Sequence, residues 1–431
     1  MRVLITGASG FIGSHLVEAL HQQHEIIACA RNPHALRKRF PDIATAVVDL
    51  TVPRSIAEWL PLLKNVDAVV NAVGIIRESG RNTFDQLHHR APCTLFQACQ
   101  AAGVRKVIQI SALGSDETAR TRFHLSKKAA DDCLKQLDLD WIILRPSLVY
   151  GPGGKSAALF KALAALPWIP LVDGGEQTVQ PIYVGDLAAA VGDLLAPDTP
   201  SRLSPARISI DAVGPRPLSI RSMLVAYRFW LGKEAYRIFP IPFAVALPFG
   251  QLSEYFGASI VTGDTIRMLR RGNVGDVSTL TGATGVSPRS LASVLRKHPA
   301  EQADRWQAQL YFLRPLLRIT LGLLWLFSGI VSLGIYPVER SYALLAEIGV
   351  TGPAAPAVLY AAALLDIALG IATLARYRIQ RVGQLQIVLM IGYSLLISVG
   401  PGELWLHPFG PVTKNIPLII ATLVMMALER D

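Results

Sequence analysis

Three glycines near the start of the chain, Gly7, Gly10 and Gly13, lie in "TGASGFIGSHLVEAL" between a short apolar run and a helical pattern. Glycines at that spacing suit the handling of a pyrophosphate. The first permits a tight turn, the second lets backbone N–H groups approach the phosphates, and the third lets the helix pack closely on the strand. A second strand should end at Cys29-Ala30-Arg31. A site for NADH carries an acid there for the ribose hydroxyls, whereas a guanidinium suits a 2′-phosphate. NADPH is therefore the expected cofactor and NADH the less favoured one; Arg31 as a plain solvated loop residue is the competing reading. Asp49, ending "AVVDL", would lie beside the adenine ring. Far along the chain, Asp366 is the one acid inside a long apolar stretch. A charge in such a place needs a partner or a task. The four cysteines, Cys29, Cys93, Cys99 and Cys133, show no metal-ligand spacing with histidine and no C-x-x-C pair. They read as small buried hydrophobes in a reducing cytoplasm.

These residues need elements to hold them. After "VLIT", the runs "EIIACA", "TAVVDL", "DAVVNAVG", "KVIQISA" and "WIILRPS" alternate with helical segments. That alternation predicts a doubly wound parallel sheet, the α/β Rossmann architecture. In the first helix, Phe11, Ile12, Leu16, Val17 and Leu20 fall on one side. The chain of 431 residues is long for one core, since single cores stop growing near ~250–300 residues. Charged residues make up only 17%, against a soluble average near ~25%, and the apolar excess lies after Leu310. The net charge of +10 is scattered, with no basic run interleaved with stacking aromatics, which argues against nucleic acid and for an anionic membrane surface. Met1-Arg2 runs directly into a strand, so no signal peptide is expected and the front half should be cytoplasmic.

The motifs "TGASGFIG", "VVDL", "NAVG", "QISALGS", "FHLSK", "LRPSLVYGPGG" and "VQPIYVGDLAAAV" together resemble an atypical member of the extended short-chain dehydrogenase/reductase superfamily. The resemblance runs from about Met1 to His298 and is nearest to the NADPH-binding accessory subunit of respiratory complex I and its bacterial relatives. It implies that Thr6, Gly7, Ser9, Gly10, Phe11, Ile12, Gly13, Arg31, Asp49, Leu50, Asn71, Ala72, Val73, Gly74, Ser111, Lys127 and Pro146 line the cofactor. In catalytic members a serine, a tyrosine and a lysine act together, the tyrosine moving the substrate proton. Ser111 and Lys127 match, but the tyrosine position is Phe123, and a phenyl ring has no proton to give. His124 offers an alternative acid in a shifted frame with Lys128. One residue along a helix turns a side chain by about 100°, so His124 is expected to be a solvated or loop histidine.

After "GDLAAAVGDLLA" the proline-rich "APDTPSRLSPA" ends the first part, and "RISIDAVG" opens what reads as a substrate lobe of the same fold. The expected division is 1–205 Rossmann domain, 206–305 lobe and 306–431 membrane domain. "YRIFPIPFAVALPFGQLSEYFG" is apolar but broken by Pro240, Pro242 and Pro248. It is a cleft wall, a surface resting on lipid near Arg228, Lys233, Arg237, Arg267, Arg270 and Arg271, or ordinary lobe core. Beyond Pro315 four apolar stretches, about 316–335, 354–375, 383–399 and 412–428, approach the ~20 residues that cross a bilayer. Arg314 and Arg318 precede the first, and Arg376, Arg378 and Arg381 fill the second loop. The positive-inside rule then puts both termini in the cytoplasm of a multi-pass protein of the bacterial cell membrane. "LRITLGLLWLFSGIVSL" and "LLDIALGIATLA" resemble the DoxX-like membrane family, which implies quinone-linked respiration. Asp366 would bind a quinone headgroup or pass a proton, or be a carboxylate paired with an arginine, or be protonated and hydrogen-bonded to a neighbouring helix. Trp405 and His407 read as interfacial anchors. The expected activity is that of an NADPH-dependent oxidoreductase acting on or near a quinone or lipid. The competing expectation is a non-catalytic NADPH-binding module of a respiratory complex.

Overall fold

A computed structural model describes residues 1–196, 206–255, 261–399, 405, 410 and 412–429. The chain forms two compact units, Met1–Ala308 and Gln309–Asp431.

The first unit is built on a seven-stranded parallel sheet. Its strands are β1 (Arg2–Thr6), β2 (Glu25–Ala30), β3 (Ala44–Val47), β4 (Ala68–Asn71), β5 (Lys106–Ile110), β6 (Asp140–Pro146) and a seventh, Ile208–Ala212. The spatial order is seventh, β6, β5, β4, β1, β2, β3. Because β1 pairs with both β2 and β4, the winding reverses there and leaves a crevice at the carboxyl ends of these strands. Alternate residues face opposite layers, as strand geometry requires. Val3 and Ile5 join Leu16, Val17 and Leu187 in one core, while Leu4 joins Trp59, Leu95 and Phe96 in the other. The segment "RISIDAVG", expected at the head of the lobe, instead supplies the outer strand of this sheet: Ile208 to Ala212 pair in parallel with Ile142 to Pro146. The reason is packing, since Ile210 and Ala212 join Ile142 and Leu144 in the same core. The proline-rich turn before it, residues 197–205, lies outside the described residues.

The lobe gathers Ile169, Leu171, Met223, Leu224, Tyr227, Leu291 and Val294 into a separate core. Arg228, expected at a headgroup-facing surface, is buried there instead. Its guanidinium donates to the carbonyls of Ala164, Leu166 and Ala235 at 2.6–2.7 Å, tying off the end of the helix Lys155–Ala165.

In the second unit, among the described residues, three helices are long and apolar enough to cross a membrane: Gln302–Ile335, which begins before the unit boundary, Ala354–Leu374 and Ile379–Ser398. The fourth expected span is present as a shorter apolar helix, Asn415–Leu428. The loop between the first two contains a helix, Val338–Glu347. Small residues bring the first two long helices together. A methyl on Gly329 would lie 2.5 Å from the Ala363 carbonyl oxygen, and one on Gly370 2.6 Å from the Leu326 nitrogen, the close approach that glycine permits between membrane helices.

Candidate functional site

The glycine turn after β1 is fixed by contacts rather than by composition. Gly7 has φ +69°, and a Cβ there would lie 2.9 Å from the Ala72 carbonyl group. A Cβ on Gly13 would sit 2.1 Å from the Gly7 carbonyl oxygen. The Gly10 N–H donates to that same oxygen at 2.8 Å, and the helix Phe11–Leu20 starts there with no side-chain cap and no acid in its first turn. Ser9 and Gly10 are exposed, whereas Phe11 and Ile12 are half-buried. Free N–H groups and the positive end of the helix dipole thus meet the crevice, an arrangement that fits a dinucleotide pyrophosphate.

Several of the expected contact residues are buried and hold one another. The Thr6 hydroxyl donates to Asn71 Oδ1 at 2.6 Å, and Asn71 Nδ2 donates to Gln109 Oε1 at 2.7 Å. All three are fully buried, so this row locks β1, β4 and β5 together beneath Ala72 and Val73. Leu50 is buried, and its carbonyl accepts from Gln86. Arg31 is exposed at the end of β2 and donates to Asn82 at 3.0 Å. Asp49 is exposed and accepts from the Thr51 N–H and hydroxyl. Burial works against its charge, but the Thr51 hydrogen bonds and the guanidiniums of Arg31 and Arg81 outweigh it and hold the carboxyl below its usual range. Arg81 is a cation the sequence reading passed over.

At the carboxyl ends of β4 and β5 the helix Arg122–Lys135 presents Phe123, Lys127 and Asp131, spaced i, i+4, i+8 on one side. Lys127 is buried and donates to the carbonyls of Val73 and Ile110, each at 3.0 Å. Burial draws its ammonium below the ordinary lysine range, with Asp131 opposing. The Ser111 hydroxyl donates to Asp131 Oδ2 at 2.5 Å. Burial pushes Asp131 up, against that hydrogen bond and the charge of Lys127. Asp131 was missed, although its i+4 offset from Lys127 in "KKAADD" was a readable signal. Pro146, buried at the end of β6, accepts the Leu113 N–H at its carbonyl.

His88 was missed as well. The Ile75 N–H donates to its Nε2 at 2.9 Å, so its proton lies on Nδ1, which faces Ser126 Oγ at 2.9 Å; that hydroxyl donates to the Phe123 carbonyl. The ring is fully buried, and burial with the nearby Lys127 charge lowers its pKa to about 2. It is a neutral tether between the β4 loop and the helix. A methyl on Gly74 would stand 3.4 Å from Lys127 Nζ and 3.9 Å from His88 Nε2, so these three residues meet at one point.

Phe123 is half-buried and packed edge-on against Phe84, His88 and His124, with ring centroids 5.3–6.0 Å apart. His124 differs from expectation. It is 5% exposed, not a solvated loop residue, and Nδ1 lies 2.9 Å from the Thr121 hydroxyl. Burial and Arg271 lower its pKa to about 4. Turning about 100° from Phe123 takes its ring to a cavity of about 520 Å³, lined also by Leu113, Asp116, Arg145, Arg271 and Asn273. That volume lies within the range of small-molecule sites. Arg271 is anchored there by the Gly114 carbonyl, Asp116 and Thr118.

The cysteines divide. Cys93 and Cys133 join the helices Ala91–Ala102 and Arg122–Lys135 in a disulfide, with Cα atoms 6.0 Å apart, while Cys29 and Cys99 are buried free thiols. The reading as inert hydrophobes therefore fits only the latter two.

In the second unit Asp366 is 8% exposed. Oδ2 accepts from Ser328 at 3.3 Å, and Oδ1 has no partner among the described residues. Among the described residues it is not paired with an arginine. The arginines flanking the spans converge on Glu429 instead: Arg314 at 3.1 Å, Arg376 at 2.7 Å and Arg318 at 3.5 Å. Trp405 donates to Ser398; His407 lies outside the described residues.

Residues 7–161 match the NAD(P)H-binding family model, and residues 322–423 match the model of the DoxX-like family. The chain thus joins an NAD(P)H-binding domain to a DoxX-like domain. A ceramide reductase from Caulobacter vibrioides is 31% identical over 196 residues, covering 43% of this chain and 58% of that protein. Mitochondrial NADH dehydrogenase [ubiquinone] 1 alpha subcomplex subunit 9 from Arabidopsis thaliana is 27% identical over 201 residues, covering 45% and 50%. The chain thus spans a little over half the length of these relatives. Among solved structures, a nucleoside-diphosphate-sugar epimerase from Staphylococcus aureus superposes with a TM-score of 0.55 at 17% identity, covering 69% of this chain and 100% of that one. An NADPH-dependent quinone oxidoreductase from Escherichia coli gives 0.54 at 17%, covering 68% and 99%. At such identities these two likenesses establish the fold alone.

Proposed function

We propose that the protein holds NADPH at the cytoplasmic face of a bacterial cell membrane and works as a slow reductase on a quinone- or lipid-like carbonyl compound. The division into 1–205, 206–305 and 306–431 belongs to this proposal, with the strand Ile208–Ala212 counted in the first part because it completes that sheet. The observation that carries it is the constellation at the end of the sheet: Lys127 and Ser111 held by buried partners, with Phe123 where a proton donor is needed. When bound, NADPH supplies a hydride. The matching proton for the carbonyl oxygen must come from the chain or from water. Lys127 is the nearest buried cation, and burial makes its proton more available than that of a solvated lysine. His124 faces the adjoining cavity but is neutral near pH 7, which leaves only a weakly acidic ring N–H. A lipid-like substrate is supported by the name of the Caulobacter relative and by the membrane domain, and a quinone by the mitochondrial relative and the DoxX-like match. Asp366, with one unpartnered oxygen inside the bundle, is the candidate residue for the quinone headgroup.

NADPH preference rests on Arg31, exposed at the end of β2 with Arg81 near the same carboxylate. Titration of the full-length protein with both nucleotides tests it. NADPH should bind more tightly, and Arg31→Ala should cost it about tenfold, the weight of one charge-assisted phosphate contact. Equal affinities, unchanged in the variant, would remove this part of the proposal.

A second reading is favoured by the packing of Phe123. With Phe84, His88 and His124 around it, the ring serves as a core side chain. A protein that keeps the cofactor for stability and docks on a respiratory complex would show this arrangement with no turnover at all.

A further inference from the structure

The lobe carries a helix, Phe243–Tyr255, that breaks the usual rule for surface helices. Such a helix turns an apolar stripe inward and a polar face outward. Here the inward face is made by Ala246, which is 6% exposed, and by Gly250, where a methyl would meet Ile266 Cδ1 at 2.4 Å and the Thr262 backbone at 3.0 Å. These contacts fasten it to the neighbouring helix Gly263–Arg271. The outward face is equally apolar. Val245, Phe249 and Leu252, spaced i, i+4, i+7, are 60%, 67% and 56% exposed. From Phe243 to Gln251 the sequence has no charge.

The strand leading into the helix continues the pattern. In Arg237–Ile241, paired with Trp168–Val172, Phe239 and the partner strand's Trp168 are both more than half exposed. The cations beside them are arginines laid on aromatic rings: Arg237 over Trp168 at 5.2 Å and Arg270 over Phe243 at 4.4 Å. Neither is in an ion pair among the described residues. An apolar patch of this kind marks an interaction surface. The acid at the patch, Asp173, is engaged by the Phe243 N–H at 3.0 Å, and aromatics and aliphatics rimmed by arginines match a bilayer interface with anionic headgroups. The chain itself enters a membrane domain about fifty residues beyond this helix, so a bilayer is within its reach.

We propose that the lobe face formed by Trp168, Phe239, Val245, Phe249 and Leu252 is an interfacial surface that seats in the bilayer, with Arg237 and Arg270 on anionic lipid headgroups. The helix Gly263–Arg271 packed behind it also lines the His124 cavity through Met268, Arg270 and Arg271. Seating the face therefore brings one wall of that cavity to the lipid. This inference does not depend on NADPH or on turnover.

The test uses the full-length protein in nanodiscs, labelled with an environment-sensitive nitrobenzoxadiazole dye at Phe249→Cys, at Val245→Cys as a second reporter, and at the exposed Lys38→Cys as a control. The buried Cys29 and Cys99 and the paired Cys93 and Cys133 leave the introduced thiol as the one labelled. Dye at 249 and 245 should emit to the blue of dye at 38 and be quenched by doxyl-labelled phospholipid. The quenching should be stronger when phosphatidylglycerol is added to phosphatidylcholine, and that gain should disappear in Arg237→Glu/Arg270→Glu. Emission at 249 and 245 equal to that at 38 would overturn the proposal. So would blue-shifted emission that doxyl lipid leaves unquenched and that fades on dilution, which would mean a second copy covers the face.

Discussion

Phe123 and His124 show how neighbouring residues acquire separate fates on one helix. Phe123 turns toward His88 and Phe84, and His124 turns toward the Arg271 cavity. The sequence shows the missing tyrosine, because a motif fixes residue types at fixed spacing. It does not show the burial of His124, because the cavity wall comes from Gly114 and from Arg271, well over a hundred residues further on. For the same reason the pairing of Cys93 with Cys133, 40 residues apart, escapes a search for short spacings. His88 carries a prediction that follows from its depressed pKa. Folded, it stays neutral down to about pH 2, whereas unfolded it takes a proton below about pH 6.5. The unfolded chain then binds more protons, so the stability His88 contributes is complete above pH 6.5 and falls as pH drops toward 2. At pH 5 the loss amounts to about 2 kcal/mol. Unfolding of the wild type followed between pH 7.5 and 5 should show that slope, and His88→Gln should lack it. His124 contributes in the same direction to both proteins, so the difference between them reports His88. Parallel pH profiles would contradict the buried neutral assignment.

At the scale of elements, the strands were readable because each is a short apolar run bounded by turn residues. The outer strand Ile208–Ala212 was not placed, because a strand that joins a sheet from across a domain boundary looks the same in sequence as one that opens a new lobe. The glycine turn makes a strong prediction. A Cβ at Gly13 would meet the Gly7 carbonyl oxygen at 2.1 Å and the Ala8 Cα at 2.9 Å, all backbone with nothing flexible to yield. Gly13→Ala should therefore cost about 1–3 kcal/mol of stability, the usual penalty for overpacking, and should abolish nucleotide binding by pushing the helix Phe11–Leu20 off β1. A variant with full NADPH affinity and an unshifted melting temperature would show that the turn has room the geometry denies.

For the whole molecule, charge asymmetry predicts orientation. Arg314, Arg318 and Arg376 gather on Glu429 just beyond the last apolar helix, which groups those ends of the helices on one side of the membrane. The positive-inside rule predicts the cytoplasm for that side. A reporter fused after Asp431 should be active in the cytoplasm, and a periplasmic signal would reverse the orientation. The central claim, that an assembled NADPH site is throttled at one side chain, is tested most directly by the rate of NADPH oxidation in Phe123→Tyr. The assay uses the full-length protein in nanodiscs with quinones and carbonyl lipids as acceptors. A positioned proton donor is worth about 10²–10⁴ in rate, so the variant should exceed a weak wild type by a measurable part of that range, with His124→Ala leaving the wild-type rate almost unchanged. A robust wild-type rate that His124→Ala abolishes and Phe123→Tyr does not raise would contradict the account.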